Sequence, residues 1–138
     1  MANISLTIIK PDAFEKGYAG KIIDDIIKGG FNLVAMKLYQ MSEDEAKRFY
    51  SIHSEKPFFS ELIYYITSGP IIVAIVKKEN AVEDFRLLIG NTDPTKADEG
   101  TIRAKFGTSI TNNAIHGSDS NENAELEASY FFSLFERY

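Results

Sequence analysis

The sequence contains no cysteine, which excludes a disulfide framework and any thiolate-held metal. That absence fits a reducing compartment without requiring one, and a cytoplasmic location is the expectation. Long apolar runs are missing as well. The longest, Pro70 to Val76, is far shorter than a bilayer span demands, so no membrane segment is expected. Met1 to Lys10 has no basic region followed by an apolar stretch, so no signal peptide is expected either. Nor is there an excess of basic charge. The formal net charge is −5, whereas a protein that mainly grips nucleic acid presents a basic surface to the phosphates. Any phosphate ligand must therefore meet a local convergence of cations, and Lys10, Arg86, Arg103 and Lys56 are the ones to follow. What is present is an ordinary globular balance, 44% hydrophobic and 25% charged over 138 residues. That is enough for one domain, residues 1–138, with a real core.

No repeat, low-complexity tract or linker-like break interrupts the chain. Ser5 to Ile9 is short, β-rich and partly alternating, which predicts a strand ended by Lys10-Pro11-Asp12. Ile22, Ile23, Ile26 and Ile27 recur at helical spacing until Gly29-Gly30. Phe31 to Tyr39 reads as a second strand. Ser42 and Glu45 form a capping-box pattern, followed by Ala46, Phe49, Tyr50 and His53 on one helical face. Pro57 suits the first turn of the next helix, with Phe58, Leu62, Ile63 and Ile66 as its buried stripe. Ile71 to Val76 is a continuous apolar strand, of the kind covered on both faces, or on one face with a subunit on the other. Asn80 is expected to cap a helix that buries Val82, Phe85 and Ile89 and closes at Gly90. Residues 91–113 lack a long period apart from a helical turn near Thr101 to Phe106, and connections this long are usually functional or disordered. Ala114 to His116 reads as a brief strand, and Ser120 opens a last helix with Ala124, Ala128, Phe131 and Phe132 inward. The order β-α-β, helical hairpin, β-α-β predicts an α+β sandwich. It is ferredoxin-like, with a four-stranded antiparallel sheet, helices on one face and an inserted helical hairpin.

Several residues could carry chemistry. His116 sits where a strand runs out and a helix is about to begin, in Asn-Ala-Ile-His-Gly-Ser-Asp-Ser. Gly117 lets the backbone turn without a Cβ clash, and Ser118, Asp119 and Ser120 offer caps and partners. An imidazole there can be base, ligand or nucleophile; equally, it can be a structural histidine before a capped turn. Glu127 lies at the edge of the last helix's apolar face, where a carboxylate needs a partner or must reach the rim. Lys10, Arg86, Arg103 and Thr92 together offer an ammonium, two guanidinium forks and a hydroxyl, the donors a polyphosphate needs. Taken singly, each is also an ordinary surface or loop residue. Phe58 and Leu62, one turn apart, are either a core pair or an apolar slot that stacks a base. The phosphate-binding glycine loops are absent: Gly17-Tyr-Ala-Gly20-Lys21-Ile22 has neither the spacing nor the hydroxyl of a P-loop. No histidine and carboxylate spacing matches a zinc helix.

The run Asn113 to Ser120 resembles the active-site signature of the nucleoside diphosphate kinase family. Ile8-Ile9-Lys10-Pro11-Asp12-Ala13, Lys56-Pro57-Phe58-Phe59, Ser68-Gly69-Pro70 and Gly100-Thr101-Ile102-Arg103 match the same family in order and spacing, from about Ser5 to Glu127. The resemblance implies transfer of the γ-phosphate of a nucleoside triphosphate such as ATP to a diphosphate such as GDP. The route would be ping-pong, through a phosphohistidine at Nδ1 of His116. It implies that Glu127, Ser118 and Tyr50 support that ring and that Lys10 reaches the transferring phosphate and the ribose. Arg86, Thr92, Arg103 and His53 would bind phosphates, and Asn113 the ribose. Phe58 and Ile110 would sandwich the base with Leu62 alongside. Mg²⁺ would arrive on the phosphates with no direct protein ligand. A homo-oligomer is implied too, tetramer or hexamer. Longer members carry a further C-terminal segment that supports subunit contacts, and Glu99 stands where many have proline, so the number stays open. Two other readings use the same residues: a nucleotide binder that has lost turnover, and a sheet-face RNA module. The second is disfavoured by aliphatic strands and negative charge.

Overall fold

Five of the six residues of strand β1 (Ile4–Ile9) are buried, because β1 lies inside the sheet with a partner on each side. The computed structural model describes residues 3–138. After β1 come α1 (Pro11–Glu15), α2 (Ala19–Lys28), β2 (Asn32–Tyr39), α3 (Glu43–Phe49), α4 (Phe59–Ile66) and β3 (Ile71–Lys77). They are followed by α5 (Ala81–Ile89), α6 (Ile102–Phe106), β4 (Ile115–Gly117) and α7 (Asn121–Phe131). The strands order β2-β3-β1-β4 with every pair antiparallel. Two β-α-β units, β1-α2-β2 and β3-α5-β4, thus interleave with α3 and α4 inserted between them, the ferredoxin-like arrangement.

The helices occupy both faces of the sheet, which corrects the one-face expectation. Alternation along β1 and β3 explains why. Leu6, Ile8, Val73 and Ile75 point to one side and pack against Ala46, Ile63, Ile66, Ala128 and Phe131 of α3, α4 and α7. Ile9, Val76 and Ile115 point to the other, against Ile22, Ile26, Phe85, Ile89 and Ile102 of α2, α5 and α6. Each fully buried aliphatic side chain contributes roughly 1.5–3 kcal/mol relative to exposure, so a strand apolar on both faces requires cover on both.

Local signals set most boundaries. The capping box at α3 forms as read: Glu45 N donates to Ser42 Oγ (3.1 Å) and Ser42 N donates to Glu45 Oε1 (2.8 Å). Ser120 caps α7 by accepting from Asn123 N at 3.1 Å. Other details differ. Pro11 ends β1 but also opens α1, since its missing N–H is no loss in a first turn. Helix α3 stops at Phe49, and His53 lies in a separate 3₁₀ turn, Ser51–His53. Helix α4 begins after Pro57, which leaves Phe58 46% exposed rather than in the core stripe. Asn80 precedes α5 in a left-handed conformation (φ 59°), and its side chain bonds Glu83 and Asp84 instead of capping the backbone. Among the described residues no helix is long and apolar enough to cross a membrane.

Candidate active site

Antiparallel pairing of β1 with β4 sets Ile8 opposite His116, and the end of β1 meets the start of β4. Lys10 N donates to Ala114 O at 2.8 Å. The Lys10 side chain follows, and its Nζ donates to Asn113 Oδ1 at 2.8 Å. Asn113 is held in turn, because its Nδ2 donates to Thr92 O at 3.0 Å. Lys10 is 7% exposed. Burial, reinforced by the nearby Arg103 cation and only partly opposed by Asp12, lowers its pKa to about 7.

On the same face as Ile8, His116 turns toward α7. Its Nε2 donates to Glu127 Oε1 at 3.1 Å, and Ser118 Oγ donates to the same oxygen at 2.7 Å. A carboxylate only accepts, so in the neutral ring this contact selects the tautomer with hydrogen on Nε2 and a lone pair on Nδ1. Ser118 is itself anchored to β1, where its Oγ accepts from Leu6 N at 2.9 Å and its N donates to Ser5 Oγ at 3.2 Å. The sheet therefore fixes the serine, the serine fixes the carboxylate, and the carboxylate holds the ring at Nε2.

Gly117 is required for a reason other than the one read from sequence. The left-handed residue of this segment is Ala114 (φ 76°). At Gly117 a Cβ would come within 2.9 Å of Phe85 Cδ2 and 3.0 Å of Ile89 Cδ1. Gly117→Ala is expected to cost about 1–3 kcal/mol by overpacking and to displace the adjacent histidine. A lowered melting temperature with reduced turnover would show both effects, and an unchanged melting temperature would refute the packing role.

These groups open on a cleft of about 980 Å³. It is lined by Lys10, Tyr50, His53, Phe58, Leu62, Arg86, Thr92, Arg103, Ile110, Asn113, His116 and Glu127. Every residue that the family resemblance assigned to the site is there except Ser118, which works from behind. Lys56 is not in the lining. Arg103 spends two nitrogens on carbonyls, Nη1 to Gly90 O (3.0 Å) and Nη2 to Ile115 O (2.7 Å). Burial and the neighbouring Arg86 lower its pKa to about 10, so it remains a cation at neutral pH. Tyr50 Oη, His53 Nδ1 and Arg103 Nε are buried without a hydrogen-bond partner. Burial pushes the Tyr50 phenol upward, and the Glu127 carboxylate adds to it, so the group stays protonated. Unpaired buried polar atoms are costly, and three beside one cleft mark it as built for a polar ligand. At the mouth, Phe58 and Ile110 are 46% and 61% exposed, an apolar contrast to the cationic floor. Among the described residues no group of three or more His, Asp or Glu side chains converges to hold a metal ion. The donor set suits a polyanion.

Sequence reasoning placed Phe49 on a helix face and gave it no part in the site. The structure sets its ring against His116, with centroids 5.4 Å apart at 72°. Asp119, read from the sequence only as a cap or partner, lines the cleft, and so does Asn123, which was not singled out.

A family model described as nucleoside diphosphate kinase matches residues 3–137. A nucleoside diphosphate kinase of Flavobacterium psychrophilum is 48% identical over 136 residues, covering 99% of this chain and 98% of that one. The namesake from Prosthecochloris aestuarii is 52% identical over 132 residues, covering 96% of this chain and 94% of that one. Among solved structures, the Aquifex aeolicus nucleoside diphosphate kinase superposes with a TM-score of 0.97 at 42% identity and full coverage of both chains. A halophilic member from Halobacterium salinarum, solved in complex with CDP, gives 0.95 at 33% identity over 100% of this chain and 92% of that one. The chain belongs to the nucleoside diphosphate kinase family, and it is a phosphotransferase enzyme.

Proposed function

We propose that the enzyme moves the γ-phosphate of a nucleoside triphosphate, ATP among them, to a nucleoside diphosphate such as GDP through phosphohistidine on His116. The observation that carries this reading is the Glu127–His116 pair, which holds the ring by Nε2 and leaves Nδ1 as the nucleophile in a cleft floored by cations. In the first half-reaction the Nδ1 lone pair attacks the γ-phosphorus, and the bond to the β-phosphate oxygen breaks with its electrons leaving on the diphosphate. The ring becomes cationic, and the Glu127 carboxylate opposes that charge. In the second half-reaction a terminal oxygen of the incoming diphosphate attacks phosphorus and the pair returns to Nδ1, so no proton need move. The transition state is loose, and catalysis is mainly positioning and charge stabilisation. Lys10, Arg86 and Arg103 supply that charge from the protein, with Thr92 and His53 on the same phosphates. Mg²⁺ bound to the phosphates would neutralise charge between them. Asn113 and Lys10 take the ribose. Phe58 and Ile110 sandwich the base beside Leu62, by contacts that do not read base edges and so admit many nucleotides. Tyr50 and Ser118 support the catalytic ring. Residues 1–138 act as one domain, in the cytoplasm, within a homo-oligomer of four or six subunits.

The test is incubation with γ-labelled ATP and Mg²⁺, then a chase with GDP. An acid-labile, base-stable label on His116 that moves to GDP is expected. Bound nucleotide without label would instead establish a non-catalytic binder. Glu127→Gln should slow labelling roughly 10²- to 10⁴-fold while the fold survives, as when a carboxylate that orients a catalytic histidine is neutralised. A wild-type labelling rate would remove Glu127 from this role.

A further inference from the structure

The proposed mechanism relies on an imidazole held in one orientation, yet Glu127 restrains it at a single atom. Hydrogen bonding through Nε2 alone leaves the ring free to rock about that contact. The opposite restraint is aromatic. Phe49, the last residue of α3, packs edge-to-face on His116. Its own position is fixed by three further rings: Tyr50 at 5.0 Å, Phe131 at 5.6 Å and Tyr130 at 6.2 Å between centroids. Tyr130 and Phe131 belong to α7, the helix that carries Glu127. Phe49 therefore ties the hairpin to the same helix that holds the carboxylate. It also forms the wall between the main cleft and a smaller one of about 200 Å³ lined by Met41, Asp44, Arg48 and Tyr130. That smaller space lies open beside the ring, and Phe49, partly buried, packs against the core cluster on its other side.

We propose that Phe49 is a positioning residue for His116, clamping the imidazole against Glu127 so that Nε2 keeps the hydrogen and Nδ1 faces the nucleotide. This rests on the phosphohistidine reading for its kinetic consequence but not for its structural one. An unclamped ring can rotate about its Cβ–Cγ bond, which swings Nε2 off Glu127, turns Nδ1 away from the nucleotide and removes the bias toward one tautomer. Base, ribose and phosphate contacts come from other residues, so the defect falls on the chemical step and not on nucleotide capture.

The test compares wild type, Phe49→Ala and Phe49→Leu in steady-state transfer and in ¹⁵N spectra of the imidazoles, with His116 assigned by its absence in His116→Gln. Wild type should show the Nε2–H tautomer. Phe49→Ala should lower kcat about 10- to 100-fold, the scale of small misplacements at a reacting atom, with KM within about threefold and a mixed tautomer at His116. Phe49→Leu, which refills most of the volume without an aromatic edge, should fall between. It carries the same criteria if the alanine variant does not fold. A kcat within twofold of wild type, or a lowered kcat with an undisturbed Nε2–H signal, would overturn the clamp. Absence of a labelled His116 in wild type would instead defeat the phosphohistidine mechanism. The tautomer readout would still decide whether Phe49 holds the ring.

Discussion

His116→Ala is expected to abolish phosphoryl transfer, by on the order of 10⁴-fold or more, while nucleotide affinity stays within a few-fold of wild type. The separation follows from where the contacts lie. The cations proposed to meet phosphate, Lys10, Arg86 and Arg103, come from the residue after β1, from α5 and from α6. Lys10 and Arg103 are fixed by bonds to Asn113, Gly90 and Ile115 that do not involve the His116 ring. Removing the imidazole leaves Glu127 with its Ser118 bond and a small space that water can enter, so the fold has little to lose. It also removes the proposed nucleophile, and the proposed ping-pong route runs through that atom. Isothermal titration with a nonhydrolysable triphosphate measures the binding, and a coupled assay on scrupulously pure protein measures the transfer. Substantial residual transfer, above the level of a contaminating host enzyme, would take the nucleophile's role away from His116. Loss of binding along with transfer would mean that the ring is part of the phosphate cradle.

How much of this was legible in the sequence depends on the range over which each signal acts. Short-range signals were readable. Ser42 and Glu45 cap α3, Ser120 caps α7, and the spacing of Ile22 and Ile26 names the buried side of α2. The Asn113–Ser120 run and the other matching motifs led to the right family before any geometry was known. Long-range consequences were not readable from periodicity. The Lys10–Asn113 bond joins residues 103 apart and depends on β1 pairing with β4. A register change of one residue would turn Lys10 to the other face. The cover on the second face of the sheet was hidden for a related reason. The sequence marks β3 as apolar throughout, but only topology decides that α3, α4 and α7 supply that cover. Phe49 was unreadable as a site residue because a phenylalanine on an apolar helix face looks like core until its neighbour proves to be a reactive ring. The role of Gly117 was misread in the same way, since close approach to Phe85 and Ile89 is invisible until α5 packs beneath β4.

Nucleotide binding is expected to draw close to one proton per site from solution at about pH 8.5, and almost none through the same group near pH 6. Lys10 is the group that takes it up. In the empty cleft its pKa is lowered from 10.5 to about 7, first by burial and then by Arg103, against a smaller upward pull from Asp12. Between those two values the unfolded chain holds a proton that the folded one does not. Stability from this group therefore rises with pH across that window, and it is lost as pH falls through about 7. The full effect is on the order of 5 kcal/mol. Polyphosphate reverses the balance, because its oxygens stabilise the ammonium that burial disfavours. Above about pH 7 the enzyme must therefore take up a proton to bind. The measurement is calorimetric titration in buffers of different ionisation enthalpy, where uptake appears as a buffer-dependent heat. Lys10→Met should abolish that dependence, flatten the pH–stability profile between about pH 7 and 10, and reduce transfer by roughly 10²- to 10³-fold, as for loss of one preorganised charge donor. Heats independent of buffer at pH 8.5 would mean that Lys10 is already charged in the open cleft or does not meet the phosphates. Titration at pH 6 then separates the two, since a lysine that meets phosphate still strengthens binding there relative to Lys10→Met.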